Sequence, residues 1–128
     1  MSSFNIIEKF KYNQNKDDIV SLREYIIFDD EDDKKKFVLF KFCNNVNQRL
    51  QEFKFELKQY DENDNLVETL VFSYNKLNEE GLSEFVPEAK VKVNYLCKEI
   101  SIKLIYARFE SVYWENNEFK KRNFSERY

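Results

Sequence analysis

Histidine is absent from this chain of 128 residues, and glycine and proline occur once each, as Gly81 and Pro87. Without an imidazole the chain lacks the commonest general base, the commonest metal ligand and every Ser–His–Asp or Cys–His arrangement. A single glycine excludes phosphate-cradling loops and dinucleotide fingerprints, because these need several glycines for close backbone approach. The two cysteines, Cys43 and Cys97, are too few for a disulfide scaffold or a tetrahedral zinc site. No segment approaches the roughly 20 apolar residues that cross a bilayer. Glu8 and Lys9 stand where a secretory leader would carry its apolar core. The expectation is a soluble chain that does not insert in a membrane, cytoplasmic as given, and extracytoplasmic only as one domain of a longer anchored protein.

Charge of one sign is also lacking. The 21 basic and 24 acidic residues leave a net charge of −3, which provides no global attraction to a phosphate backbone. Lys34, Lys35 and Lys36 directly follow the acidic run Asp29 to Asp33, whereas a nucleic-acid binder shows a basic face. No nucleic-acid partner is expected. Carboxylate-only catalysis would need two acids in one cleft with separated pKa values. The acids here fall in turns or on outward strand positions, so no enzyme, catalytic residue or cofactor is expected. The Asp29 to Asp33 run could offer oxygens to calcium, but contiguous carboxylates cannot all converge on one ion, and a solvated turn is the simpler reading. Asp61, Asn63 and Asn65 match the opening of an EF-hand loop, but no glycine follows at the sixth position and no helix flanks them.

What is abundant is aromatic. There are 13 Phe and 8 Tyr, residues suited to a pleated, half-buried surface. A chain of this length fits one domain and can bury roughly two-thirds of its unfolded surface. With so little glycine, Asn and Asp must supply most turns, since they tolerate left-handed backbone best.

Short alternating runs separated by polar breaks follow one another along the chain. They are Phe4 to Tyr12, which also suits a helix, then Ile19 to Phe28, Lys36 to Cys43 and Leu50 to Tyr60. In the last of these Phe53, Phe55 and Leu57 face one way and Lys54, Glu56 and Lys58 the other, a period of two that marks a strand. Asp61 to Asn65 turns the chain, and Leu66 to Tyr74 completes a hairpin. Leu77 to Ser83 reads as a loop, with room for one helical turn. Phe85 to Tyr95 and Lys98 to Phe109 read as strands, the second with Ile100, Ile102, Leu104 and Tyr106 on one face. A final hairpin spans Val112 to Phe119, turning at Glu115, Asn116 and Asn117. Residues 1–119 are expected to form one domain and residues 120–128 a frayed polar tail. The fold class is therefore all-β, an antiparallel sandwich of about seven to nine strands with little helix. Its expected core includes Phe40, Phe42, Phe55, Leu57, Val93, Ile102 and Leu104.

The string Phe53-Lys54-Phe55-Glu56-Leu57-Lys58-Gln59-Tyr60-Asp61, followed by Asn63-Asp64-Asn65-Leu66-Val67, resembles bacterial immunoglobulin-like domains of the FxLYD sort. A preceding strand closing in Asn44-Asn45, and a later Leu-x-x-Gly-like loop before Phe85, add to the likeness. It covers roughly Phe37 to Phe109. Lys58 and Gln59 interrupt the Phe-x-Leu-Tyr-Asp string, and Asn65 stands where that family has its turn glycine. The resemblance implies an immunoglobulin-like sandwich, a non-catalytic extracytoplasmic module, and no functional residues to carry over. Cys43 closes one strand and Cys97 opens another, in the opposite sheet. If those strands run in the same sense, as the cysteine-bearing strands of immunoglobulin domains do, the thiols lie at opposite ends of the domain. They are then far beyond the roughly 7 Å between Cα atoms that a disulfide allows.

By elimination the expected function is binding, with a protein partner in first place and a carbohydrate or small ligand as the alternative. The candidate surface is the final hairpin, through Val112, Tyr113, Trp114 and Phe119, or an exposed sheet edge, which would also serve a homo-oligomer. Neighbours in a strand face opposite ways, so one of Tyr113 and Trp114 turns inward.

Overall fold

Bulky β-branched and aromatic residues at alternate positions make nearly every apolar run of this chain a strand. The structure, a computed structural model, describes residues 4–11, 19–30 and 34–122, the first of these segments and Asp30 by backbone alone. Among them are ten strands and no helix: β1 Phe4–Lys11, β2 Val20–Asp30, β3 Lys35–Asn44, β4 Leu50–Tyr60, β5 Leu66–Tyr74, β6 Ser83–Phe85, β7 Val91–Val93, β8 Glu99–Phe109, β9 Val112–Glu115 and β10 Glu118–Lys121. All pairings are antiparallel. One sheet has the order β1-β2-β3-β6, with β7 also on β3; the other has the order β10-β9-β8-β4-β5. The two pack together as a β-sandwich.

The strand count exceeds the expected seven to nine because Phe85 to Tyr95 is not one strand. Pro87 cannot donate to a ladder, and β6 and β7 lie end to end along β3, with the segment carrying Pro87 between them. The expected frayed tail also begins too early. Lys120 and Lys121 pair with Tyr113 and Val112 in β10, so the domain runs past residue 119. Residues 123–128 lie outside the described residues. The Leu77 to Ser83 loop holds no helical turn.

The core is an aromatic layer. Phe42 meets Phe53 across the sandwich at 4.8 Å edge to face, and Phe40 meets Phe55 at 5.5 Å in the same way. Such pairs add roughly 0.5–1.5 kcal/mol beyond area burial. Phe40, Phe42, Phe55, Leu57 and Val93 are buried as expected. Ile102 and Leu104 face inward but are only half-buried, packed against the margin of the core. Tyr106 departs further. The register of β8 against β4 slips between Lys54 and Phe55, leaving Ile105 as a bulge. One extra residue reverses the alternation, so Tyr106 pairs with Lys54 on the outer face while Ala107 and Phe109 take the buried positions.

Turns follow the expected chemistry in part. Asp64, Asn116 and Asn117 take positive φ, but so do Lys34, Lys76 and Leu82. Gly81 serves close approach instead. A Cβ there would lie 2.8 Å from the Gln48 nitrogen and 2.9 Å from the Val46 oxygen. The buried Asn44 anchors the same junction: its Nδ2 donates to the carbonyls of Gln48 and Glu80, and its Oδ1 accepts from the Val46 N–H. One buried amide thus satisfies two loops that would otherwise leave backbone groups unpaired.

Candidate partner-binding edges

The sheet containing β4 and β8 ends on one side in the final hairpin and on the other in β5, and the two margins are built differently. The hairpin turns through Asn116 and Asn117, with φ of 53° and 61°, the geometry of a type I′ turn. Pairing sets its faces. Ala107 pairs with Trp114, and Trp114 with Phe119, so these share the inner face; Arg108 pairs with Tyr113, and Tyr113 with Lys120, on the outer face. Of the four residues singled out from sequence, Val112 and Trp114 pack against the core. Tyr113 faces outward beside Tyr106, at 6.1 Å between ring centroids and tilted by 36°. Phe119 remains 51% exposed, with its ring 6.4 Å from that of the buried Phe109. Arg122 then fastens the hairpin: its Nη1 donates to Gln51 Oε1 and to the Phe109 and Glu110 carbonyls.

β5 is bare by comparison. It runs for nine residues, and among the described residues it hydrogen-bonds to β4 alone. Leu70, Phe72 and Tyr74 pair with Leu57, Phe55 and Phe53 and face the core, while Thr69, Val71 and Ser73 face outward. Its only charged residue is Glu68. β4 beside it carries Glu52, Lys54, Glu56 and Lys58. Opposite β5 lies the β6–β7 segment of the other sheet, joined by Tyr74 Oη donating to the Ala89 carbonyl and Asn94 Nδ2 to Glu68 Oε1. Leu66 and Val71 of β5, with Leu82, Val86, Tyr95 and Leu96 of the flanking segment, are six of the seven large apolar residues that stand exposed among the described ones. Phe119 is the seventh.

A cleft of about 500 Å³ opens at one end of the sandwich between Asp29, Lys36, Asp61, Tyr95, Leu96 and Lys98 and their neighbours. Lys36 and Asp61 are engaged within the fold, whereas Asp29 Oδ1 is buried without a hydrogen-bond partner among the described residues. The buried Lys36 donates from Nζ to the Cys97 carbonyl at 2.8 Å and lies 5.3 Å from the Tyr95 ring. The Asp61 carboxylate accepts from the N–H groups of Asn63 and Asn65, so the carboxylate that opened the EF-hand match is spent on its own turn. Among the described residues no group of three or more Cys, Asp or Glu side chains is placed to hold a metal ion. Of the acidic run, Asp29 and Asp30 lie in β2, and residues 31–33 are outside the described residues.

Cys97 sits in the turn before β8, not on the strand as expected, and Cys43 near the end of β3. Both are free and buried. Lys36, near the start of β3, reaches Cys97, and Cys43 lies seven residues further along that strand, roughly 23 Å at about 3.3 Å per residue. β3 and β8 do run in the same sense, and the thiols lie at opposite ends. Burial pushes the Cys97 thiol from its ordinary 9.0 up to about 11, against the opposing pull of Lys36, which leaves it unreactive at neutral pH. Burial likewise raises the Tyr74 phenol, and raises that of Tyr106 with the help of Glu52.

The edge position of β5 was not legible, because sequence does not reveal which strand lacks a neighbour. The signal that was available is the near-absence of charge in Leu66 to Tyr74 beside the charged Leu50 to Tyr60. No family model, no curated protein and no solved structure matches the chain.

Proposed function

We propose that this domain is a non-catalytic, immunoglobulin-like β-sandwich module that binds a protein partner by accepting an extended strand on β5. The observation that carries this reading is the nine-residue edge with one charge, on which Leu66 and Val71 stand exposed. Sheet edges left open to solvent are ordinarily blunted by charge, proline, bulges or brevity, because their unpaired N–H and C=O groups template another strand. β6 and β7 are blunted in this way, being three residues each with Pro87 between. β5 lacks these devices except for the slip between Gln59 and Tyr60 near its start. Strand addition supplies main-chain hydrogen bonds for affinity and side-chain pockets for selection.

The immunoglobulin-like part of the reading is supported by the strand order. After β3 the chain crosses to the other sheet for β4 and β5, returns beside β3 as β6 and β7, and crosses again so that β8 joins β4 and β9 joins β8. That succession follows the Greek-key plan of such domains, with β5 as an added strand next to the central pair. The inward turn of Val112 and Trp114 favours β5 over the hairpin as the docking margin, with Tyr113 and Phe119 left as accessory contacts.

The test compares immobilised wild type, Val71→Lys and Phe119→Ala. Proteins retained by wild type and by Phe119→Ala, lost with Val71→Lys, and slowing amide exchange within β5 are the expected result. Retention that ignores Val71→Lys overturns the proposal.

A further inference from the structure

We infer that the strand accepted by β5 is β5 of a second copy of this chain, giving a two-fold dimer with a continuous ten-stranded sheet. The inference rests on the strand-accepting reading of β5 and names its partner. An interface across a two-fold axis must be self-complementary, because each residue i facing j implies j facing i. β5 meets that condition. With the axis at Leu70, the antiparallel pairs on the regular part of the strand, before the bulge at Val67, are Leu70 with Leu70, Thr69 with Val71 and Glu68 with Phe72. Every pair contains at least one apolar residue and none sets like charges opposite. The outer-face pair of Thr69 with Val71 joins two β-branched side chains, which suit adjacent strands. Both stand exposed in the single chain, and Val71, at 54% exposure, would be covered by the pairing. β10, by contrast, is four residues long and three of them are charged, so a second β10 would add only a short ladder with little apolar surface. The net charge of −3 adds little repulsion between copies.

The register makes a charge-swap test decisive. Sedimentation equilibrium of the wild type over a concentration series should reach twice the 15.7 kDa chain mass. T69K/V71K places two like charges opposite each other on each side of the axis, and T69E/V71E does the same with negative charge; each should sediment at half the wild-type mass. An equal mixture of the two should recover the dimer, because each lysine then faces a glutamate. T69E/V71K should remain dimeric by itself and serves as proof that both positions tolerate charge in the fold. A wild type that stays monomeric, or a T69K/V71K variant that still dimerises, overturns the inference. So does a mixture that stays monomeric. A monomeric wild type whose protein capture still depends on Val71 would overturn the second-copy inference and leave strand acceptance standing. Capture indifferent to Val71→Lys would remove strand acceptance itself, whatever the mass.

Discussion

One sheet of this sandwich ends in two unlike ways. Its β10 edge is four residues long, charged, turned by Asn116 and Asn117 and fastened by Arg122. Its β5 edge is nine residues long, nearly uncharged and paired on one side only among the described residues. β5 packs Leu70, Phe72 and Tyr74 against the core, whereas the one apolar residue of β10, Phe119, stays half exposed. What also separates them is the provision made for the outer row of backbone groups. At the hairpin the edge is shortened and charged; at β5 it is left usable. In a chain this rich in aromatic strands, an unguarded edge is a hazard of uncontrolled association unless a specific partner covers it.

The largest effect expected lies in the layer both margins share. Phe55 is buried against Phe40 and Phe72, and Phe55→Ala should cost roughly 3–5 kcal/mol in denaturant unfolding. A loss under about 1 kcal/mol would mean that β4 and β5 do not share that layer. Next comes the hairpin. Trp114 is inward but only half-buried, so Trp114→Ala should cost roughly 2–3 kcal/mol, below the range for a fully buried aromatic. A cost near zero would make both margins surface features and erase the contrast.

Cys97 probes the end of the sandwich near the β4–β5 turn. Its thiol titrates near 9 when unfolded and at about 11 when folded. The folded state therefore resists ionisation. Stability is fully present below pH 9, falls as pH rises through the interval from 9 to 11, and then levels off with respect to this group. Two pKa units correspond to roughly 2–3 kcal/mol, and Cys97→Ala should remove that component of the alkaline fall. An unchanged slope would show the thiol to be solvated. The smallest effect belongs to Val71→Lys, which should shift folding by no more than about 0.5 kcal/mol, as for other exposed substitutions. A larger cost would place Val71 inside the fold and close the edge as a docking site.

Much of the architecture was legible because period-two alternation is a local property. Phe53, Phe55 and Leu57 against Lys54, Glu56 and Lys58 announce a strand with one wet face, whatever surrounds it. Bulges are not legible in this way. Nothing in the string from Ile100 to Phe109 tells that Ile105 carries the extra residue, so Tyr106 was read on the wrong face while Ala107 and Phe109 took the buried positions. The candidate hairpin was half legible: adjacency required one of Tyr113 and Trp114 to turn inward, and the pairing of Trp114 with Ala107 chose which.

By itself the sequence determined an all-β, aromatic-cored chain without histidine chemistry, since composition and alternation act residue by residue. It also determined that turns would lean on residues such as Asp64, Asn116 and Asn117, because a single glycine leaves few other ways to reach left-handed backbone. Only the tertiary structure decided that Gly81 answers to the Gln48 and Val46 backbones, that Arg122 fastens the hairpin, and that among the described residues β5 has one neighbour where β4 has two. Each of these depends on which segments far apart in the chain come to lie side by side, and that is settled by the packing of two sheets over their whole inner faces.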